Sequence, residues 1–149
     1  MCLPETRAQM SPKAPIRVAI VDDEPAVRTA LARLLDASSF ATTTYGSARE
    51  FIDSIRRDVP ECLIVDVHMP DFSGLDLQRY LNRINKKIPT IVITAFDDAA
   101  IRERSAASGA KAFLTKPLHG QTLIDAILAA TMDSDAESSV TPAKNGTDK

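Results

Sequence analysis

Four short apolar runs, each ending in a residue that can carry charge or hydrogen-bond it, constrain this chain more than anything else in it. Val18-Ala19-Ile20-Val21 ends in Asp22-Asp23, and Cys62-Leu63-Ile64-Val65 ends in Asp66. Ile91-Val92-Ile93 ends in Thr94, and Ala112-Phe113-Leu114 runs into Thr115-Lys116-Pro117. Runs of this kind, bounded by turn residues, read as buried strands. Helical periodicity fills the gaps between them. With a fifth, more polar strand at residues 40–45, the pattern is five β–α units in series. Such a series predicts an α/β fold, a doubly wound parallel sheet with helices on both faces. In open sheets of that type ligands bind beyond the carboxyl ends of the strands. A carboxylate pair, a lone carboxylate, a hydroxyl and an ammonium should therefore meet at one site. Their chemistry suits a divalent cation and a phosphoryl group.

The first strand is expected at 16–21, followed by a helix with Val27, Leu31, Leu34 and Leu35 on its apolar face. Residues 40–45, rich in Thr and aromatics, suit an edge strand. Ser47 can cap a helix that buries Ala48, Phe51, Ile52 and Ile55, with Glu50 completing a capping box. After the strand at 62–65, Leu77, Leu81 and Ile84 mark the third helix. The strand at 89–94 starts on a proline, where a missing donor is tolerated. A helix at about 97–108 is poorly anchored, since Ile101 is its only large apolar residue, and Gly109 suits its C-terminal cap. A strand at 112–115 and a helix burying Leu123, Ile124, Ile127 and Leu128 complete the series. The inner strands are near-continuous apolar runs, as doubly covered strands are.

At 149 residues the chain has room for one domain. Residues 1–15, with three prolines and no periodicity, read as a flexible N-terminal arm. Residues 133–149, rich in Ser, Asp, Thr and Lys, read as a disordered tail. The domain is then 16–132. A net charge of -2 gives no electrostatic reason to bind nucleic acid or membrane. Neither a signal peptide nor a run of about 18 apolar residues is present, so a cytoplasmic protein is expected. Cys2 and Cys62 form no metal-ligand pattern and suit a reducing compartment without a disulfide.

Asp22, Asp23 and Asp66 together would raise one another's pKa unless a cation neutralised them. Oxygen-only ligation by few protein groups suits Mg²⁺. One of Asp22 and Asp23 could instead cap the helix ahead of Pro25, though a cap does not need both. Asp66 is the candidate nucleophile, a carboxylate able to attack phosphorus and become an acyl phosphate. Lys116 and Thr94, with a backbone N–H, could take the phosphoryl oxygens that the cation leaves. Taken singly, Lys116 could be a solvated lysine and Thr94 an ordinary strand residue. His68 and His119 lack metal spacing. Gly74, after Met69-Pro70-Asp71-Phe72-Ser73, is expected to serve a turn that needs positive φ. No GxxxxGK(S/T) or GxGxxG motif supports nucleotide binding.

Val21-Asp22-Asp23-Glu24, Asp66-Val67-His68-Met69-Pro70 with Gly74, Thr94-Ala95, and Phe113 with Lys116-Pro117 resemble the receiver domain of two-component response regulators. Tyr45-Gly46-Ser47-Ala48-Arg49-Glu50-Phe51 and Cys62-Leu63-Ile64-Val65-Asp66 look most like the FixJ-type branch of this CheY-like superfamily. The resemblance covers residues 16–132 and implies a flavodoxin-like (βα)5 fold with strand order 2-1-3-4-5. It implies Asp66 as phosphoacceptor, with Asp22, Asp23, Asp66 and the backbone carbonyl of His68 as Mg²⁺ ligands. Lys116 resembles the phosphate partner that precedes a cis peptide bond. Thr94 resembles the switch hydroxyl and Phe113 the switch aromatic, in place of the commoner tyrosine. Ala95 is small, as the family uses to keep the phosphoryl pocket open.

The implied function is a phosphorylation-activated signalling module, not an enzyme acting on other substrates. Its phosphodonor would be a sensor histidine kinase or a phosphotransfer protein. Its output would be a protein contact, homodimerisation included, through the face of the fourth helix, fifth strand and fifth helix. Direct nucleic-acid binding is not expected, because no output domain follows Met132. A phosphatase of the haloacid-dehalogenase type is the nearest rival, but His68 stands where its general-acid Asp would be. A degenerate scaffold would have no reason to keep Asp22, Asp23, Asp66, Thr94 and Lys116. The receiver part of a longer transcriptional regulator is the remaining alternative.

Overall fold

The structure, a computed structural model, describes residues 14–144 apart from Asp71, with side chains described as far as Met132. The expectations for residues 1–13 and 145–149 lie outside the described residues. The elements alternate without exception: β1 (Arg17–Val21), α1 (Pro25–Ala37), β2 (Ala41–Tyr45), α2 (Ala48–Ser54) and β3 (Cys62–Asp66) come first. They are followed by α3 (Gly74–Arg83), β4 (Thr90–Thr94), α4 (Ala99–Ala107), β5 (Ala112–Thr115) and α5 (Gly120–Lys144). All strand pairs are parallel, in the order β2-β1-β3-β4-β5. This is the flavodoxin-like topology that the resemblance implies, with the Thr-rich strand at an edge.

Alternation along the strands divides the core in two. Ala19, Val21, Leu63, Val65 and Val92 face a cluster with Phe51 and Ile55 near α2 and Leu77 and Leu81 of α3. Val18, Ile20, Ile64, Ile91 and Ile93 face the other way, onto Leu31 and Leu35 of α1 and Leu123 and Ile127 of α5. Some apolar positions fall outside the expected stripes. Leu128 and Ile84 are exposed, and Ala130 and Ile88 are buried in their stead. Among α4's residues only Ser105 is buried, so the helix is as weakly anchored as its sequence predicts.

The helix ends show where local chemistry was read correctly and where it was not. Ser47 caps α2 by accepting the Glu50 N–H, but Glu50 returns its carboxylate to the Gly46 N–H at 3.1 Å. The expected capping box is therefore displaced by one residue. The complete box belongs to α3, where Ser73 and Asp76 satisfy each other's backbone N–H groups at 3.1 Å. The Ser73 N–H, helped by Arg79, holds the Asp76 carboxyl below its usual range. Gly109, at φ +93°, ends α4 as expected, with Ala110 N–H returning to the Ser105 carbonyl. α5 continues as helical backbone from Met132 to Lys144, a stretch whose polar composition predicts a tail. Ala and Glu within it are good helix formers, and extending an existing helix avoids the cost of nucleation.

Candidate functional site

Parallel register sets the site. Val21 pairs with Val65, so the next residues, Asp22 and Asp66, reach the carboxyl edge of the sheet side by side. Asp66 aligns with Ile93, and Thr94 aligns with Thr115, which puts Lys116 one step beyond. Both aspartates lie in the interior, Asp22 at 0% and Asp66 at 4% exposure, whereas Asp23 is exposed. Asp22, Asp23 and Asp66 each offer a carboxylate oxygen, and these oxygens lie within 4.8 Å of one another.

One ammonium serves the buried pair. Lys116 Nζ donates to Asp66 Oδ2 at 2.9 Å, to Asp22 Oδ2 at 3.2 Å and to Glu24 Oε1 at 3.3 Å. Burial pushes the Asp22 carboxyl above its ordinary range; the Glu24 N–H opposes this, and the charge of Asp66 adds to it. Desolvation, not repulsion between the acids, is therefore the main cause, unlike the expectation from sequence. Burial would lower the Lys116 pKa, but the Asp66 hydrogen bond and charge, then Asp22, hold it above normal. The remaining carboxylate oxygens are taken by backbone donors. Asp22 Oδ1 accepts the Glu24 N–H at 2.9 Å, and Asp66 Oδ1 accepts the His68 N–H at 3.0 Å. Two buried carboxylates with one ammonium between them, and a third carboxylate at the mouth, form an oxygen-only donor set that fits Mg²⁺.

The surrounding loops hold this arrangement. Gly74 is needed for close approach and not for positive φ: a Cβ there would stand 2.6 Å from the Asp66 backbone oxygen. Gly109 is the positive-φ glycine among the described residues. Thr94 is fully buried, its Oγ1 accepting the Phe96 N–H at 3.1 Å, and its carbonyl accepts the Lys116 N–H at 2.7 Å. The Lys116–Pro117 peptide is cis, as the resemblance implies. Phe113 is half-buried on β5 with the Arg102 guanidinium over its ring. His68 contributes its N–H to Asp66, and its ring meets exposed Phe96 edge-on at 5.4 Å.

Three participants carried no assigned role in the sequence. Glu24 stands in the acidic motif and binds Lys116. Arg28 donates to the Asp22 carbonyl at 2.7 Å. Arg102 covers Phe113. For Glu24 the adjacent acid pair was a usable signal. For the two arginines, only the three-dimensional arrangement reveals the partner.

The family model of the response regulator receiver domain matches residues 18–128. Nodulation protein W of Bradyrhizobium diazoefficiens is 41% identical over 114 residues, which are 76% of this chain and 50% of that protein. Transcriptional regulatory protein TdiR of Thauera aromatica is 39% identical over 113 residues, again 76% and 50% of the two chains. The chain thus spans about half the length of the curated relatives it matches. Among solved structures, the crystal structure of FixJ-N aligns with a TM-score of 0.76 at 35% identity. That alignment covers 80% of this chain and 96% of the other.

Proposed function

The chain belongs to the response regulator receiver domain family, and on that basis we propose that Asp66 accepts a phosphoryl group in a Mg²⁺-dependent step. The donor is a sensor histidine kinase or a phosphotransfer protein, and the receiver unit is residues 16–132, working in the cytoplasm. The observation that carries the reading is the Lys116 ammonium held at once by Asp66 and Asp22. A cation already stands beside the buried Asp66 carboxylate, where phosphoryl charge would arrive.

Asp22, Asp23 and Asp66, with the His68 carbonyl, are the groups that would hold Mg²⁺. When bound, the ion neutralises carboxylate charge and draws density from a phosphoryl oxygen. An Asp66 carboxylate oxygen attacks phosphorus, the bond from phosphorus to the donor's leaving group breaks, and the acyl phosphate forms. Lys116 turns its ammonium to one phosphoryl oxygen. The Thr94 hydroxyl, giving up the Phe96 N–H, turns to another. Phe113 then moves into the space Thr94 vacates, which re-biases weakly anchored α4 and the face it shares with β5 and α5. No helix among the described residues is long and apolar enough to cross a membrane.

Intact mass measured after treatment with acetyl phosphate tests the reading. Incorporation of one phosphoryl group with Mg²⁺, none with excess EDTA and none in Asp66→Asn is the expected result. Undiminished labelling of Asp66→Asn overturns it.

The output is read as a protein contact, homodimerisation included, through the face of α4, β5 and α5. A second reading is favoured by the relatives' length: the chain as the receiver portion of a longer transcriptional regulator. In that case the same face would act on an attached DNA-binding unit. Size exclusion of the phosphorylated chain tests the contact. Salt-sensitive binding to duplex DNA by this chain would overturn the protein-contact reading.

A further inference from the structure

Glu24 occupies the N-cap position of α1 yet caps nothing. Its φ of -92° and ψ of 113° are those of a cap residue, but its side chain accepts no hydrogen bond from the helix. Ser, Thr, Asp or Asn would normally stand there and satisfy a free N–H. The Glu24 carboxylate is instead directed to Lys116 Nζ, at 3.3 Å, although its side chain is 62% exposed. The backbone N–H of the same residue holds Asp22 Oδ1. Residue 24 therefore grips one oxygen of Asp22 directly and reaches the ammonium that grips the other.

Of the carboxylates around Lys116, Asp22 and Asp66 belong to the cation-binding triad and Glu24 does not. An ammonium 2.9 Å from Asp66 and 3.2 Å from Asp22 occupies the same negative field that a divalent cation would use. Asp22 Oδ1 and Asp66 Oδ1 are already held by backbone N–H groups, so an incoming ion competes with the ammonium for the Oδ2 atoms. The ammonium has to withdraw when the ion arrives. Glu24 lies already within its reach, on the solvent side, with a charge that no metal claims.

We propose that Glu24 is the positioning residue that receives the Lys116 ammonium when a divalent cation binds, and so sets the cation affinity of the site. This rests on the Mg²⁺ site proposed above and adds to it the group that makes room for the ion. Withdrawal to Glu24 also keeps Lys116 close enough to return to a phosphoryl oxygen. Because Glu24 does not cap α1, its role is separable from the stability of the helix.

The test is a double-mutant cycle read by calorimetric titration of Mg²⁺ into the unphosphorylated chain. Glu24→Gln should weaken binding by roughly three- to tenfold. Lys116→Met removes the competing ammonium, and in that background Glu24→Gln should change affinity less than about twofold. Glu24→Ser supplies a capping hydroxyl, so it should lose the same affinity while its thermal midpoint holds or rises. An equal loss in both backgrounds would mean a plain through-space charge effect and would overturn the proposal. So would unchanged Mg²⁺ binding by Glu24→Gln. Loss of affinity in Glu24→Ser matched by a lower midpoint would assign Glu24 to the helix instead. If the unchanged chain binds no Mg²⁺, the metal reading itself fails, and this inference fails with it. Mg²⁺ binding without acetyl phosphate labelling sinks the phosphoacceptor reading alone.

Discussion

The Arg102 guanidinium lies over the Phe113 ring, 4.6 Å from its centroid, and the same group holds Asp97 Oδ1 at 2.6 Å. Asp97 lies in the loop that follows Thr94 at the end of β4, Arg102 is on α4 and Phe113 is on β5. One arginine thus ties the loop beside the acidic site to the aromatic residue proposed to move. A guanidinium over a ring face is a real but modest attraction, about 0.5–1 kcal/mol where water has access.

Replacing Arg102 should therefore loosen the resting position of Phe113 without dismantling the core. For Arg102→Ala we expect faster hydrogen exchange across α4. Acetyl phosphate labelling of Asp66 should accelerate by roughly two- to fivefold, the population shift that such an energy permits. Arg102→Lys should fall between the two, because an ammonium lacks the planar stacking surface. Slower labelling by Arg102→Ala, with α4 exchange unchanged, would show that the contact does not restrain the switch.

Gly74 makes a sterically sharper prediction. Its added Cβ would meet the Asp66 backbone oxygen at 2.6 Å and Val65 Cγ2 at 3.2 Å, both in the packed interior. Alanine favours a helix by about 1 kcal/mol over glycine, which acts in the opposite direction. The clash should prevail, with a net loss of about 1–3 kcal/mol in urea unfolding. Asp66 labelling should slow as well, since the strand end has to shift. Gly74→Ala as stable as the unchanged chain would contradict this close approach.

Cys62 should be chemically silent while the protein is folded. It is buried at the start of β3, and burial pushes its thiol from an ordinary 9.0 up to about 12. That change leaves about a thousandfold less thiolate at pH 8, and the thiolate is the reacting species. Iodoacetamide at pH 8 should leave the peptide containing Cys62 unmodified until urea is added. Stoichiometric modification of Cys62 in the native protein would refute its place in the core.

The strands and the acidic site were legible because each rests on a local pattern. A continuous apolar run ending in a carboxylate predicts a buried strand and a group at its tip. Ser47, Gly109 and the poorly anchored α4 could be read in the same way. What was misread depended on geometry between segments. The role of Gly74 is set by the Asp66 carbonyl, which approaches it from another element. Glu50 reaches Gly46 rather than Ser47, a difference of one residue that no sequence motif resolves. Leu128 and Ala130 exchanged places because a stripe on α5 is defined by how the helix is rotated against the sheet. Arg102 had no signal at all, since a surface arginine at a helix start is unremarkable until β5 places a ring beneath it.

Asp22 should lower the stability of the metal-free protein at neutral pH. Its folded pKa is raised above 3.8, chiefly by burial, so the folded state binds more protons than the unfolded state between 3.8 and that raised value. Stability from this group therefore falls as pH rises through the window, and the cost is fully present above the folded pKa. Asp22→Asn keeps the shape and removes the charge, while Lys116 retains Asp66 and Glu24 as partners. In EDTA at pH 7 the variant should be more stable by roughly 0.5–2 kcal/mol, the size that single stabilising substitutions commonly give. On acidification the difference should shrink, because protonation relieves the same cost in the unchanged chain. Added Mg²⁺ should stabilise the unchanged chain in proportion to occupancy and leave Asp22→Asn much less affected. Urea unfolding at pH 7 and pH 4.5, with EDTA and with Mg²⁺, measures all three effects. A variant less stable than the unchanged chain in EDTA at pH 7, or a gap that widens on acidification, would reverse the assigned sign.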